Sequence, residues 1–355
     1  MTIRYTAAVV GGGMGGKLSL AALHASERFD LVAAADLRAD VRAELAQLYP
    51  GLHTFASHQA MFDAISTDVV CVSTYPPSHL DITQAALALP LKGILVEKPL
   101  GDTYAAGRTI VQAIKAQQLP VVVPHNLLAL AHVAEIIARV RGGEIGQLEL
   151  IEIECDQWDI INAGIHWLNF VATLVDEPFD FVLAAGDAAT RTYRDGMQVE
   201  TIAVTYAQTR SGLRVVMQTG DDVRIVRDGK QFLFRLIGSA GMIEFYAWEN
   251  AYRLLNAAHP AGADFTVARD HRSGHQIHLD ALAAQIDDGT PDYRVIESSL
   301  AALELCEAAY RSIAERCLVR LPLEQFTAPA VGDWQPGKPY SGTGGGRDGR
   351  MLQRG

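Results

Sequence analysis

Val9-Val10-Gly11-Gly12-Gly13-Met14-Gly15-Gly16 is the stretch on which the reading of this chain turns. The apolar run Ala7–Gly11 leads into it as a buried strand, and Gly15–Glu27, with apolar residues at helical spacing, leads out as a helix. Its glycines fall as G-x-G-x-x-G at Gly11, Gly13 and Gly16. The first serves a tight turn, the second lets a pyrophosphate approach the backbone, and the third lets helix pack on strand. The helix start that follows offers free N–H groups and a positive dipole end to phosphate. Glycine clusters also occur in plain turns, so context decides. Here a strand precedes, a helix follows, and Asp36 stands twenty positions after Gly16. A carboxylate ending the second strand accepts from ribose hydroxyls and repels a 2′-phosphate, which favours NAD over NADP. Arg38 is placed to stack on adenine or to soften that preference.

Outward from this turn, Leu31–Ala35, Val69–Ser73, Gly93–Val96 and Val121–Val123 are further apolar runs, with helix-like segments at Ala39–Leu48, Ser78–Leu89 and Thr103–Ala116. Continuous apolar strands separated by helices predict a doubly wound parallel sheet covered on both faces, over residues 1–125. The pattern changes after Pro124. A helix at His132–Arg141 stops at Gly142-Gly143. Leu148–Cys155 then alternates apolar residues with Glu149, Glu152 and Glu154, as suits an antiparallel strand with one wet face. Thr201–Ala207, Leu213–Met217, Gln231–Ile237 and Gly241–Phe245 repeat the theme, with Gly238-Ser239-Ala240-Gly241 as a hairpin turn. Helices at His275–Asp287 and Val295–Glu315 follow. Residues 126–328 are therefore expected to form an α+β domain with a large, mainly antiparallel open sheet. Such a sheet needs a cover, and a second copy in a homodimer or homotetramer is a common one. Residues 329–355 read as a Gly/Pro-rich tail in which Trp334 and Tyr340 could dock on a neighbour.

Composition bounds the function. At 355 residues, 49% hydrophobic and 20% charged, the chain can bury two ordinary cores. A net charge of −11 argues against nucleic acid or an anionic membrane as partner. No uninterrupted apolar run reaches the roughly 18 residues of a membrane span. The N-terminus runs straight into a strand without a signal-like segment. Cys71, Cys155, Cys306 and Cys317 are scattered without a CxxC pair, as in a reducing compartment, so a cytoplasmic enzyme is expected.

Glu97-Lys98-Pro99 ends the run Gly93–Val96, which places a lysine just outside the carboxyl end of a parallel strand, where such folds bind ligands. With the glycine motif and Ser73-Thr74-Tyr75-Pro76-Pro77-Ser78-His79 it forms an ordered set. That set resembles the Gfo/Idh/MocA family of oxidoreductases over roughly residues 5–320. The resemblance implies a Rossmann domain, a second domain whose open sheet builds oligomers, and hydride transfer to or from sugars, cyclitols or their derivatives. It implies that Ser73–Pro77 lines the nicotinamide side and that Lys98 touches the reacting hydroxyl. The residues expected around NAD are Gly11, Gly13, Met14, Gly16, Asp36, Leu37, Arg38, Ser73, Thr74, Tyr75, His79, Glu97, Lys98 and Asn126.

The family's second motif is Asp-x-x-x-His, and this chain offers Asn162-Ala163-Gly164-Ile165-His166. His166 matches the histidine, Asn162 replaces the aspartate, and Asn169 stands at a further acidic position. Asparagine orients by hydrogen bonding but carries no proton and no charge. The expected chemistry makes His166 the general acid/base and Lys98 the stabiliser of charge on the same oxygen, with Asn162 fixing the substrate or the His166 ring, or else capping a helix. Asp159 and Asp156 are the nearest acids if a charged partner is required. Trp158 could stack on a sugar ring, as could Trp167. His271, His275 and His278 lack the spacing of a metal site, so no metal is expected. The resemblance puts His275, Gln276 and His278 beside the substrate. The expected activity is NAD-dependent oxidation of a sugar hydroxyl, an aldose such as D-apiose to its lactone. Cyclitol dehydrogenation, a redox-neutral glycosidase or isomerase, and a non-catalytic NAD sensor are the alternatives.

Overall fold

Strands whose Val, Ala and Ile side chains are buried at consecutive positions must be covered on both faces. The computed structural model, which describes residues 3–175, 177–187, 192–194, 197–225 and 229–323, has six of them in one parallel sheet. In chain order the elements are β1 (Tyr5–Val10), α1 (Met14–Ala25), β2 (Phe29–Ala35), α2 (Ala39–Leu48), β3 (His53–Phe55), α3 (His58–Ala64), β4 (Val69–Val72), α4 (His79–Ala86), β5 (Gly93–Val96), α5 (Tyr104–Ala116) and β6 (Val121–Val122). The sheet order is β3-β2-β1-β4-β5-β6. Strand order therefore reverses beside β1, and the crevice outside the carboxyl ends of β1 and β4 is where such a sheet binds its ligand. Ala7, Val9, Val69 and Cys71 face one side of the sheet, while Ala8, Val10, Val70 and Val72 face the other. The strand β3 and helix α3 have no counterpart in the sequence reading, being three and seven residues long.

The second half runs α6 (Ala131–Arg141), β7 (Leu148–Asp156), α7 (Ile165–Val175), β8 (Phe179–Gly186), β9 (Thr192–Arg194), β10 (Met197–Val199), β11 (Ile202–Thr209), β12 (Arg214–Gly220), β13 (Leu233–Gly238), β14 (Gly241–Tyr246), β15 (Ala251–Asn256), β16 (His259–Thr266), α8 (Gly274–Asp288), α9 (Arg294–Glu315) and β17 (Val319–Arg320). Nine of these strands form one sheet, ordered β16-β15-β14-β13-β7-β12-β11-β8-β17, and β9 pairs with β10 alone. The sheet is antiparallel except at β7–β12. Along β7, Ile151, Ile153 and Cys155 are buried. On its wet face, Arg235 of β13 joins Glu154 at 2.9 Å and Glu244 of β14 at 3.1 Å. The expected turn Gly238–Gly241 closes the β13–β14 hairpin with Gly238 opposite Gly241. Strands β8, β9, β10, β15, β16 and β17 went unread. Pro260 and Gly262 interrupt the β16 pattern, which an edge strand tolerates. The Gly/Pro-rich tail lies outside the described residues.

The two sheets do not have separate cores. Helix α8, from the second half of the chain, lies against α1, β5 and β6. Its Leu279, Leu282 and Ala283 are fully buried with Leu20, Leu23 and Val69. Ser273 caps α8 by accepting from Gln276 N, and Gly289 ends it at φ 63°, in the left-handed region open to glycine.

Candidate active site

The three motif glycines do three different jobs. Gly11 sits at φ 103°, and a Cβ there would lie 2.4 Å from Ser73 O. A Cβ on Gly16 would lie 1.9 Å from Gly11 O, so α1 packs on the turn only without one. A Cβ on Gly13 would meet nothing within 4 Å. The chain therefore leaves open space at the motif glycine expected to face a phosphate. Gly13 is also the N-cap of α1 and supplies no side-chain cap, which leaves the first N–H groups of that helix for an anion. Asp36 accepts from Gly12 N and from Arg38 N, both at 2.8 Å, which fixes its carboxylate at the rim of the turn. Arg38 pairs with Asp40. Met14 and Leu37 are among the most exposed large apolar residues of the chain and flank the same cleft in sequence. An open phosphate cradle, a free helix start and a fixed ribose carboxylate fit NAD.

On the far side of the cleft, Ser73 Oγ meets Ser19 Oγ at 3.0 Å, and Thr74 Oγ1 meets Ser78 Oγ at 2.7 Å. His79 was expected to contact the cofactor; it has no exposed surface. Its Nδ1 lies 2.9 Å from Pro99 O and its Nε2 2.9 Å from Thr74 O, so it sits between the Ser73–Pro77 segment and the Pro99 carbonyl. It shapes the cleft from behind.

At the tip of β5, Glu97 and Lys98 point into a cluster of four histidines. His275 Nε2, from α8, meets Glu97 Oε1 at 2.5 Å with both groups buried. Burial raises the Glu97 carboxyl, but the facing His275 and then Lys98 outweigh it and hold it below the usual range. Lys98 Nζ donates to Asn162 O at 2.9 Å. His166 Nδ1 faces His125 Nδ1 at 3.3 Å, and His125 Nε2 lies 2.8 Å from Ser299 Oγ. His278 Nε2 donates to His125 O at 3.2 Å. Burial first, then the charge on Lys98, pushes His166 well below its ordinary value, and burial does the same to His125. His278 is lowered to about 4, again by burial. At neutral pH the rings of His125, His166 and His278 are therefore uncharged imidazoles. His166 keeps 9% of its surface exposed, and its Nε2 has no hydrogen-bond partner among the described residues.

The turn that carries Asn162 is itself clamped. Asp159 caps residues 160–164, accepting from Ile161 N at 3.1 Å, Asn162 N at 2.8 Å and Asn162 Nδ2 at 3.0 Å. Its other oxygen takes Arg194 Nη1 at 3.0 Å, and the Arg194 guanidinium lies 4.1 Å from the Trp158 ring centre. Glu200 accepts from Ile160 N at 2.8 Å and from Tyr310 at 2.7 Å. Burial, then the Asp159 charge, pushes Glu200 up to about 7.

The expected residues thus meet, with different duties for some. Asn162 turns its amide to Asp159 and offers Lys98 its carbonyl. Asp159 is a capping carboxylate without a bond to His166. Asn169 donates to Ser298 Oγ at 2.8 Å. His275 and His278, expected beside the substrate, bond Glu97 and the His125 main chain. Trp158 stacks on Arg194, and Trp167 is core, donating to Cys155 Sγ. A concavity of about 510 Å³ lined by Asp156, Gln157, Arg194, Asp221 and Arg224 opens at the end of β7. His125 and Ser299 were not foreseen. His125 stands three residues beyond the end of β6 at Val122, much as Lys98 stands two beyond the end of β5 at Val96.

Residues 5–125 match the family model described as the oxidoreductase family, NAD-binding Rossmann fold (GFO_IDH_MocA). No curated protein matches the sequence. Among solved structures, levoglucosan dehydrogenase in complex with NADH and L-sorbose is similar at TM-score 0.78 and 17% identity, covering 91% of this chain and 100% of that one. The aldose-aldose oxidoreductase from Caulobacter crescentus, complexed with glycerol, has TM-score 0.75 and 20% identity, covering 90% and 100%. An oxidoreductase from Agrobacterium radiobacter, in complex with NAD+, L-tartaric acid and magnesium, has TM-score 0.76 and 15% identity, covering 89% and 98%. At such identities the likeness establishes the fold of both halves. Residues 5–125 are thus similar to the NAD-binding Rossmann fold of the Gfo/Idh/MocA oxidoreductases, and the likeness to the solved structures extends that fold relationship to the second half of the chain.

Proposed function

We propose that this protein is an NAD-dependent dehydrogenase that oxidises a CH–OH group of a sugar or polyol. The observation that carries the reading is the pairing of a held ammonium, Lys98 Nζ on Asn162 O, with an uncharged His166 whose Nε2 is free. Alcohol oxidation needs a base for the hydroxyl proton and a cation for the charge left on oxygen. His166 Nε2 takes the proton, and Lys98 stabilises the oxygen. When bound, NAD+ accepts the hydride. Gly11, Gly13 and Gly16 give the pyrophosphate its approach to the backbone, Asp36 holds the ribose hydroxyls, and Ser73–Pro77 line the nicotinamide side. Residues 1–125 thus serve the cofactor, and residues 126–328 the substrate and subunit contacts.

The ligands found in the similar folds, L-sorbose, glycerol and tartaric acid, are all polyhydroxylated. Within this class we favour an aldose oxidised at its anomeric carbon, a pentose such as D-apiose, over a cyclitol. Asn162 has replaced the acid that a second proton-carrying group would need. A panel of aldoses, cyclitols and sugar acids with NAD tests both levels of the reading. NADH formation on aldoses supports it; turnover without NADH formation indicates a redox-neutral enzyme, and NAD binding with no turnover a sensor.

Asp36→Ala is expected to narrow the preference for NAD over NADP by about tenfold or more, since hydrogen bonds to a charged group contribute about 1.5–3 kcal/mol. Kinetics with both cofactors measure it, and a wild-type preference for NADP overturns the assignment. The outer face of β8 and β11 exposes Leu183 and Val204, 47% and 46% accessible, and we read it as a subunit contact. Light scattering is expected to give a dimer or tetramer; a monomer at micromolar concentration refutes this.

A further inference from the structure

A histidine base must carry its own proton on the nitrogen turned away from the substrate, and an acidic side chain commonly enforces this. Among the described residues no carboxylate is bonded to His166. The ring that faces it belongs to His125, with centroids 5.2 Å apart, planes at 86° and the two Nδ1 atoms 3.3 Å apart. We propose that His125 is the positioning residue that holds His166 in the Nδ1–H tautomer, in the place a carboxylate would fill. This rests on the dehydrogenase reading above.

Two neutral arrangements satisfy the chain Ser299–His125–His166, each with two hydrogen bonds. In one, the Ser299 hydroxyl donates to His125 Nε2 and His125 Nδ1–H donates to His166. The His166 proton then sits on Nε2, in the cleft, and the ring cannot act as base. In the other, His166 Nδ1–H donates to His125 Nδ1, and His125 Nε2–H donates to Ser299 Oγ. The lone pair of His166 Nε2 is then free. The charge that separates them is Lys98, whose ammonium is held at 2.9 Å on Asn162 O, four residues before His166. An ammonium sharing the cleft repels an N–H and attracts a lone pair, which selects the second arrangement. Ser299 is fully buried on α9, and His278 Nε2 pins the His125 main chain, so the acceptor is fixed in place. A neutral imidazole in this role holds the tautomer without the added negative charge that would raise the base's affinity for protons.

Nuclear magnetic resonance of protein labelled with 15N-histidine, assigned with His125→Asn and His166→Gln, reads both tautomers without any substrate. The expected spectrum shows His166 protonated on Nδ1 and His125 on Nε2 near neutral pH. His166 protonated on Nε2 overturns the proposal. Activity on any sugar that wild type oxidises supplies a second readout. His125→Leu removes the acceptor and is expected to lower kcat by about tenfold to a hundredfold, with both KM values within about threefold. His125→Asn, whose side-chain oxygen can accept near the Nδ1 position, is expected to recover most of that loss. Unchanged kcat in His125→Leu, or equal losses in both variants with melting temperatures preserved, overturns the tautomer role. If wild type oxidises no sugar yet shows the Nδ1–H tautomer, the dehydrogenase reading fails and this assignment stands.

Discussion

Lys98→Ala is expected to lower kcat by two or more orders of magnitude, a size usual for electrostatic and acid–base groups. The side chain ends in a charge fixed to Asn162 O at the tip of β5, and alanine leaves nothing to stabilise the oxygen of the departing proton. Affinity for NAD should stay within a few-fold, because the glycine turn and Asp36 are untouched. The pH profile separates this from loss of structure. In the proposed mechanism His166 works as a neutral base, so oxidation is lost as pH falls through its pKa. Burial and then Lys98 hold that pKa well below 6.5, so wild-type kcat/KM is expected to stay level as pH falls through 6.5. Removing the ammonium lets the pKa rise, and the acid limb of Lys98→Ala moves to higher pH. His166→Ala should lose as much activity and show no such limb. Undiminished turnover in both variants, or a wild-type acid limb above pH 6.5, refutes the mechanism.

Gly13→Ala and Gly16→Ala are expected to fail in opposite ways. The added methyl at Gly16 collides with Gly11 O, a main-chain atom that can yield only by parting α1 from β1. A loss of about 2 kcal/mol or more in stability follows, with a melting temperature lower by several degrees, whether or not NAD is present. The methyl at Gly13 meets only open space, and its φ of −72° suits alanine. Thermal stability of the free protein should therefore hold, while NAD binding weakens by tenfold or more because the methyl stands where phosphate approaches the backbone. Calorimetry of the free variants and titration with NAD measure the two effects. A Gly13→Ala variant that binds NAD as tightly as wild type removes the phosphate from that position.

Local chemistry made the first sheet legible. Gly11, Gly13, Gly16 and Asp36 are close in sequence, and each answers to a backbone or charge requirement that can be stated without a structure. Lys98 was visible for a similar reason, because a polar residue ending a buried strand is a departure from pattern. His125 was equally open to that logic at the end of β6 and was passed over. What stayed hidden depends on distant pairing. Nothing near Asn162 says that its carbonyl, 64 positions from Lys98, holds the ammonium. Nor does the spacing of His275 and Glu97, 178 residues apart, announce their contact. Strands such as β16 escaped because edge positions accept proline and glycine that erase the alternating pattern.

The route of α8 has a consequence for how the chain is made. Leu279, Leu282 and Ala283 cover a sheet whose first strand begins at Tyr5, and burying each leucine contributes about 1.5–3 kcal/mol. A ribosome must therefore deliver more than three quarters of the polypeptide before the oldest part can finish closing. Until then the α1 side of that sheet stays wet, a surface for chaperones to shield. A fragment ending at residue 125 would keep the glycine turn and forfeit this lid, together with the His275 partner of Glu97. The first residues to emerge are thus among the last to be fully covered.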